Sequence, residues 1–398
     1  MRLIAAAAIA FAMTIGSAQA QPAPWQPDRQ TAGWVFTPTL GLGGLWDSNV
    51  TIRNENDPDT VSELIGIVNP RGEIDYNGRR TRFNAGYSGA LEAYRDVSEL
   101  NRYEQRGRMS LRHTPSARTR LEGRASYTAS PTTDRLELGT VPFVDIGGRS
   151  FDLVGAMAFQ ANRRTGLELE YQFQQVDFDR DDAISRPDLL EGGYAHSPIV
   201  RVTHALTSRL AAGGEWQYRR ASVADGARTF NVQMALGQLA YQLGPHTTLE
   251  GGAGVSYLDV SQTGISAWGP ALRAGLEHSF ERTRVWVRYN RAFIPSFSFG
   301  GLTGNQDFSA GVTAPFGANR YLASASVGYS SSDPVKELGV GFGLDSLFVN
   351  GSLGYQVAPW LRSEGFVSVM HQTSTVRGVF DRTRIGIQFV TFKPVRIQ

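Results

Sequence analysis

Charged residues recur at alternate positions in one short segment. Arg102, Glu104, Arg106, Arg108 and Arg112 fall on one side of a period-two pattern, opposite Tyr103, Met109 and Leu111. Arg82 and Arg124 occupy matching places in the neighbouring segments and extend the set across three strands. A wall of guanidinium groups draws anions or anionic sugar polymers toward itself. The same spacing also builds a ladder in which Glu92, Glu104 and Glu122 pair with the arginines and merely stiffen the wall. Spacing leaves both readings open.

Three other groupings could carry chemistry. Asp177, Asp179, Asp181, Asp182 and Asp188 show a D-x-D-x-D spacing that suggests clustered oxygen ligands for a hard cation. The match is poor, because Asp182 stands where the sharp turn needs glycine and Asp188 where a bidentate glutamate belongs. A solvated loop is expected, with no metal and no cofactor. Of the histidines 113, 196, 204, 246, 278 and 371, only His371, near Thr373 and Ser374, is a candidate for hydrolysis. A nucleophile, a base and an orienting group must converge, and spacing shows no convergence, so a non-enzyme is expected. Gly251-Gly252-Ala253-Gly254 opens no helix and cannot cradle a phosphate, but glycine there would let strands approach closely.

The elements that must position these residues are strands. Leu167, Leu169, Tyr171 and Phe173 alternate with Glu168, Glu170, Gln172 and Gln174, and the pattern recurs along the chain from Trp34 without a competing helical stripe. Short breaks near 77–80, 114–118, 162–165 and 207–209 alternate with longer polar stretches such as 47–62, 130–149 and 178–192. Carried to the end, this rhythm gives about eighteen strands of about 11 to 15 residues, long enough for the ~9 to 11 that span a bilayer. Trp34, Trp46, Tyr94, Tyr127, Tyr241, Tyr321 and Trp360 fall near strand ends, as interfacial girdles require. A soluble propeller or solenoid should repeat a motif every ~40 to 50 residues, and none recurs.

Composition narrows the class further. The chain of 398 residues is 41% hydrophobic, carries a net charge of +2, and contains 44 glycines and no cysteine. That excludes disorder, a nucleic-acid footprint, a lipidated export protein and a disulfide-stapled scaffold. Residues 1–20 read as a signal peptide, with Arg2, an apolar run and an A-x-A site at Ala18 and Ala20. The expected domains are therefore signal peptide 1–20, a short periplasmic segment 21–33, the barrel 34–392 and a periplasmic tail 393–398. One of the two longest central loops, 130–149 or 178–192, is expected to fold inward and constrict the pore.

Within residues 40–95, Gly43-Gly44-Leu45-Trp46-Asp47-Ser48-Asn49-Val50 precedes Ile67-Val68-Asn69-Pro70, Ile74 and Tyr76, then Arg80-Thr81-Arg82-Phe83, Tyr87 and Tyr94. This order resembles the β-barrel porin 2 family of Gram-negative outer membranes. The resemblance implies an outer-membrane barrel, often linked to exopolysaccharide export, and supplies no catalytic residues. The last strand departs from the general outer-membrane pattern: Lys393 to Gln398 follow Phe392, leaving either Phe389 or Phe392 to close the insertion signal.

The expected fold is thus all-β, a transmembrane antiparallel up-and-down barrel. The expected function is a channel exporting polysaccharide or a related polymer, with a diffusion porin for small solutes and a lipid or ester hydrolase as alternatives. The expected partners are outer-membrane lipid and lipopolysaccharide, the barrel assembly machinery and periplasmic polysaccharide-export components, with no nucleic acid.

Overall fold

The computed structural model describes residues 32–397 apart from 55–56, 137–140, 180–189, 224–225, 261, 263, 298–300, 336–342 and 376–377. Residues 1–20, read above as a signal peptide, and Asp181, Asp182 and Asp188 lie outside the described residues. The strands are β1 (Gly33–Asp47), β2 (Glu63–Asn77), β3 (Thr81–Tyr94), β4 (Arg102–Ser116), β5 (Thr119–Ser130) and β6 (Gly148–Gln160). They continue with β7 (Thr165–Phe178), β8 (Gly193–Ala205), β9 (Leu210–Val223), β10 (Arg228–Gly244), β11 (Thr247–Val260) and β12 (Ile265–Phe280). The last are β13 (Thr283–Ser296), β14 (Gly301–Phe316), β15 (Tyr321–Pro334), β16 (Leu344–Ala358), β17 (Leu361–Ser374), β18 (Gly378–Phe392) and the short β19 (Val395–Ile397).

Each of the first seventeen pairs antiparallel with the next, and β1 closes the ring by pairing with β18 from Thr39↔Phe392 to Asp47↔Arg384. Closure leaves no free edge, the condition for strands in hydrocarbon. Residues 395–397 extend the seam, Trp34 pairing with Ile397. Gly43 permits the seam, since a Cβ there would lie 2.3 Å from the Ile387 carbonyl oxygen. Gly254 is tighter still, at 1.8 Å from the Ala235 carbonyl oxygen, so the glycine run at 251–254 serves close strand approach.

The faces are inverted relative to a soluble protein. Leu40, Leu42, Leu169, Leu239, Trp268, Ile385, Ile387 and Phe389 are exposed on the outside, whereas Asp47, Glu92, Arg102, Glu215, Glu364 and Arg382 are buried inside. An apolar exterior and a polar interior are what a barrel in lipid requires. Phe389 points outward, and Phe392 falls on the opposite face. Aromatic rings collect at the short-turn end, where Trp34 packs on Tyr76 at 4.8 Å and Tyr321 on both Phe316 and Tyr355. Another group, including Tyr257 and Trp268 at 4.7 Å, marks the long-loop end.

From β1 to β18 strand lengths run from 12 residues in β5 to 17 in β10, slightly beyond the expected range. The extra pairing comes from hairpins that continue past their breakers. Pro295 still pairs with Leu302 and Thr303 with Pro334, so proline-containing stretches that interrupt the alternation still belong to the wall.

Candidate functional site: an occupied, arginine-lined lumen

The β5–β6 connection enters the barrel. Thr132, Thr133, Asp134, Arg135, Leu136, Val141, Phe143 and Val144 are all buried, and a single 3-10 turn spans Thr133–Arg135. Phe143 inserts edge-on between Phe348 of β16 and Phe380 of β18, with Met370 and Ile52 completing the cluster. Its backbone N–H donates to Gln372 Oε1 at 2.8 Å. The loop therefore runs from its own strands to the wall on the far side of the seam.

Ion pairs hold its base. Arg382 of β18 binds Asp47 at 2.6 Å and Asp134 at 2.7 Å, all three side chains fully buried. Arg384 contacts both Asp47 and Glu92, and Arg135 bridges Glu92 at 2.7 Å to Glu104 at 3.2 Å. Arg102 reaches Asp145 at 2.7 Å. Each charge has an opposite neighbour, without which burial in this position would cost several kcal/mol per ion, roughly.

The two loop carboxylates differ. Burial pushes the Asp145 carboxyl above the ordinary carboxylate range, and Arg102 only partly offsets it. Burial also opposes ionisation of Asp134, but Arg382 and then Arg135 hold it below its ordinary value. Asp134, lowered in the folded state, contributes stability that is complete above the unfolded value of ~3.9 and is lost below it. Asp145, raised, binds its proton more tightly in the docked loop than out of it, so its protonation does not loosen the docking. Acidification should therefore free the loop in one stage, below about pH 3.9, as Asp134 takes up its proton. Single-channel current against pH would show that step, and Asp134→Asn should erase it while Asp145→Asn leaves it in place; a step that persists in Asp134→Asn contradicts the assignment.

The arginines expected along the pore separate into two groups. Arg102, Arg106, Arg108 and Arg112 are held by Asp145, Glu104, Glu73 and Glu122 respectively. Arg82, beside Arg112 in the register, and Arg124, beside Ser110 and Val154, lie on the inner face and enter no ion pair among the described residues. Arg106 and Arg108 also line the cavity left in the lumen, so the wall combines a ladder with a basic surface.

That cavity measures about 620 Å³. Its wall includes Arg71, Arg106, Arg108, Arg201, Arg219 and Arg273, against one carboxylate, Asp152. Arg201 is tied by Glu168, Glu170 and Glu215, and Arg273 shares Glu215. Arg219 differs: its Nε donates to Ser197 Oγ at 3.0 Å, and no carboxylate pairs with it among the described residues. An apolar patch adjoins Arg201, Arg219 and Arg273 on the same strands, Val232 being the register partner of Arg219. Val176, Val223, Val232, Leu258 and Phe297 pack together inside the barrel, Phe297 coming from the β13–β14 connection, whose carbonyl accepts the N–H groups of Glu191 and Gly192.

Sequence reasoning missed Asp134, Arg135, Arg382, Arg384, Arg201, Arg219 and Arg273. A signal existed for some of them. Arg382 and Arg384 alternate with Thr383 and Ile385, so an outward Ile385 already turns both arginines inward. Arg135 and Asp134 carried none, because they lie in a loop without periodicity.

No protein-family model matches the chain, and no curated protein matches its sequence. Among solved structures it is similar to OpdO of Pseudomonas aeruginosa, at 12% identity over 91% of this chain and 98% of that one, with a TM-score of 0.45. It is also similar to OccAB4 of Acinetobacter baumannii, at 9% identity over 93% and 100% with a TM-score of 0.44. The siderophore receptor PirA of Pseudomonas aeruginosa gives 12% identity over 91% and 80% with a TM-score of 0.42. Scores at this level carry nothing about function, which rests on the lumen itself.

Proposed function

We propose that the chain is an outer-membrane channel for small anionic solutes that carry an apolar portion. The observation behind this reading is the lumen wall, where arginines and an adjoining apolar patch line one cavity of about 620 Å³. A volume of that order suits a small molecule and falls within the usual ~300 to 1,000 Å³ of ligand pockets. A carboxylate would meet the guanidinium groups while its apolar body lies against Val232 and Phe297. The placement in an outer membrane is supported by the closed barrel with an apolar exterior, the alternation of short turns with long loops, and the signal peptide read at residues 1–20. The long-loop end then faces outward and the termini face the periplasm.

The resemblance across residues 40–95 favours export of polysaccharide or a related polymer instead. A polymer, however, would need the 131–147 loop to leave the lumen, and that loop is held there by several buried ion pairs. The occupied lumen favours the small-solute reading.

Planar-bilayer recording of the mature chain separates the two. Expected are steady openings that prefer chloride to potassium and are blocked by benzoate added to one side. Replacing Arg106 and Arg108 with glutamine should lower that preference. Cation preference, or currents indifferent to benzoate, would reject the proposal. Passage of a dextran sulfate oligomer through the unmodified channel would favour export.

A further inference from the structure

His371, Thr373 and Asp381 form a connected set on the outer surface of the barrel. His371 and Thr373 stand two apart on β17, hence on one face, and Asp381 is the register partner of His371 on β18. His371 Nδ1 lies 2.6 Å from Asp381 Oδ1, and its Nε2 lies 3.3 Å from Thr373 Oγ1. An Nδ1–H donated to the carboxylate leaves the Nε2 lone pair to accept the threonine O–H. Val367, Val369 and Ile385 are exposed on the same face, so this face is the one turned to lipid. Asp345, beside Thr373 in the register, accepts a hydrogen bond from the Tyr329 hydroxyl at 3.1 Å.

Height along the wall fixes what the set can meet. From Leu361, at the short-turn end of β17, to His371 is ten residues; at ~3.3 Å per residue and a tilt of ~40° that is about 25 Å along the membrane normal. The outward apolar band of such barrels is also about 25 Å tall. His371 therefore sits at the upper edge of the hydrocarbon, the depth of the ester carbonyls of outer-leaflet lipids.

We propose that Thr373, His371 and Asp381 constitute a hydrolytic site for fatty acyl esters of membrane lipid, on the outside of the barrel and separate from its lumen. Thr373 Oγ attacks the acyl carbonyl carbon as His371 Nε2 takes its proton, giving a tetrahedral adduct. The adduct collapses with cleavage of the carbon–oxygen bond to the lipid alcohol, which receives the proton from His371. Water, deprotonated by the same Nε2, then attacks the acyl-threonine ester, releasing fatty acid and restoring the Thr373 hydroxyl. His371 and Thr373 are the catalytic residues, and Asp381 positions the imidazole and stabilises its charged form.

The full mature chain would be given vesicles of dioleoyl phosphatidylethanolamine and phosphatidylglycerol, or purified lipopolysaccharide, and released fatty acid measured. Release from one of the two identifies the lipid, and release from both indicates a general acyl ester site. Thr373→Val and His371→Gln should each lose at least about a hundredfold, while Thr373→Ser retains activity and every variant keeps the wild-type conductance. Asp381→Asn should move the acidic limb of the pH–rate profile to lower pH, where a purely structural role would only scale the profile. A fluorophosphonate should label the peptide carrying Thr373. Absence of fatty acid from both lipids, full activity in Thr373→Val, or labelling confined to other peptides would each overturn the proposal.

Discussion

Replacing Arg382 with methionine should release the lumen loop and raise the single-channel conductance. Arg382 is the link between the barrel seam and the loop, because it binds Asp47 on β1 and Asp134 in the loop with no solvent around any of the three side chains. Removing it leaves two buried carboxylates without their principal partner. Breaking such a pair costs about 3–5 kcal/mol. The loop docks through few elements and the wall through continuous ladders, so the loss falls on docking. At about 1.4 kcal/mol per decade, the docked-to-released equilibrium shifts by at least about a hundredfold. Openings should become larger and noisier while the protein keeps the heat-resistant migration of a closed barrel. The triple variant Asp47→Asn, Asp134→Asn, Arg382→Met should recover much of the docking, since removing a whole buried ionic group is far less costly than removing one member. If conductance stays at its original value in Arg382→Met, the loop is held by Phe143 and its neighbours rather than by charge.

Substitution of Arg219 by glutamine should have the largest effect on anion recognition. Most cavity arginines are neutralised by glutamates, as Arg201 is by three of them, and their fields are spent within the wall. Arg219 donates to a serine hydroxyl, so its charge remains available to a solute. It also stands next to the apolar patch, where Val232 and Phe297 line the same cavity. A hydrogen bond to a charged group contributes roughly 1.5–3 kcal/mol. Benzoate block should therefore weaken about ten- to a hundredfold in Arg219→Gln, with little change in barrel stability. Arg201→Gln provides the contrast: it leaves Glu170 and Glu215 buried with less compensation and should lower stability more than selectivity. Equal benzoate block in Arg219→Gln and the wild type would place the anion elsewhere.

Alternation along the chain determined the strands, their number, the rhythm of turns and loops, and which residues share a face. Those properties follow from the period of two and the breakers between runs, which are local. The inward side of Arg382 and Arg384 was legible in the same way, through Ile385 and Ile387 beside them. The pairs Arg106–Glu104 and Arg112–Glu122 belong to one of the two readings that the spacing left open, whereas Arg102–Asp145 and Arg108–Glu73 were not legible, because they depend on register and on what else enters the barrel. Nor does an apolar residue announce its side. Within β10, Phe230, Val232, Met234 and Leu236 point into the lumen, whereas Leu239, Tyr241 and Leu243 point outward, so the apolar set changes face within one strand. The sequence shows that switch but cannot explain it; the reason is Phe297, brought by a distant connection to pack with Phe230 and Val232, and Ala271 and Ala292, which pack with Met234 and Leu236. The same holds for Asp134, which meets Arg382 across 248 residues of chain. Local periodicity settled the wall, and only closure of the ring, which brings remote segments into one lumen, decided what fills it and which charges remain free there.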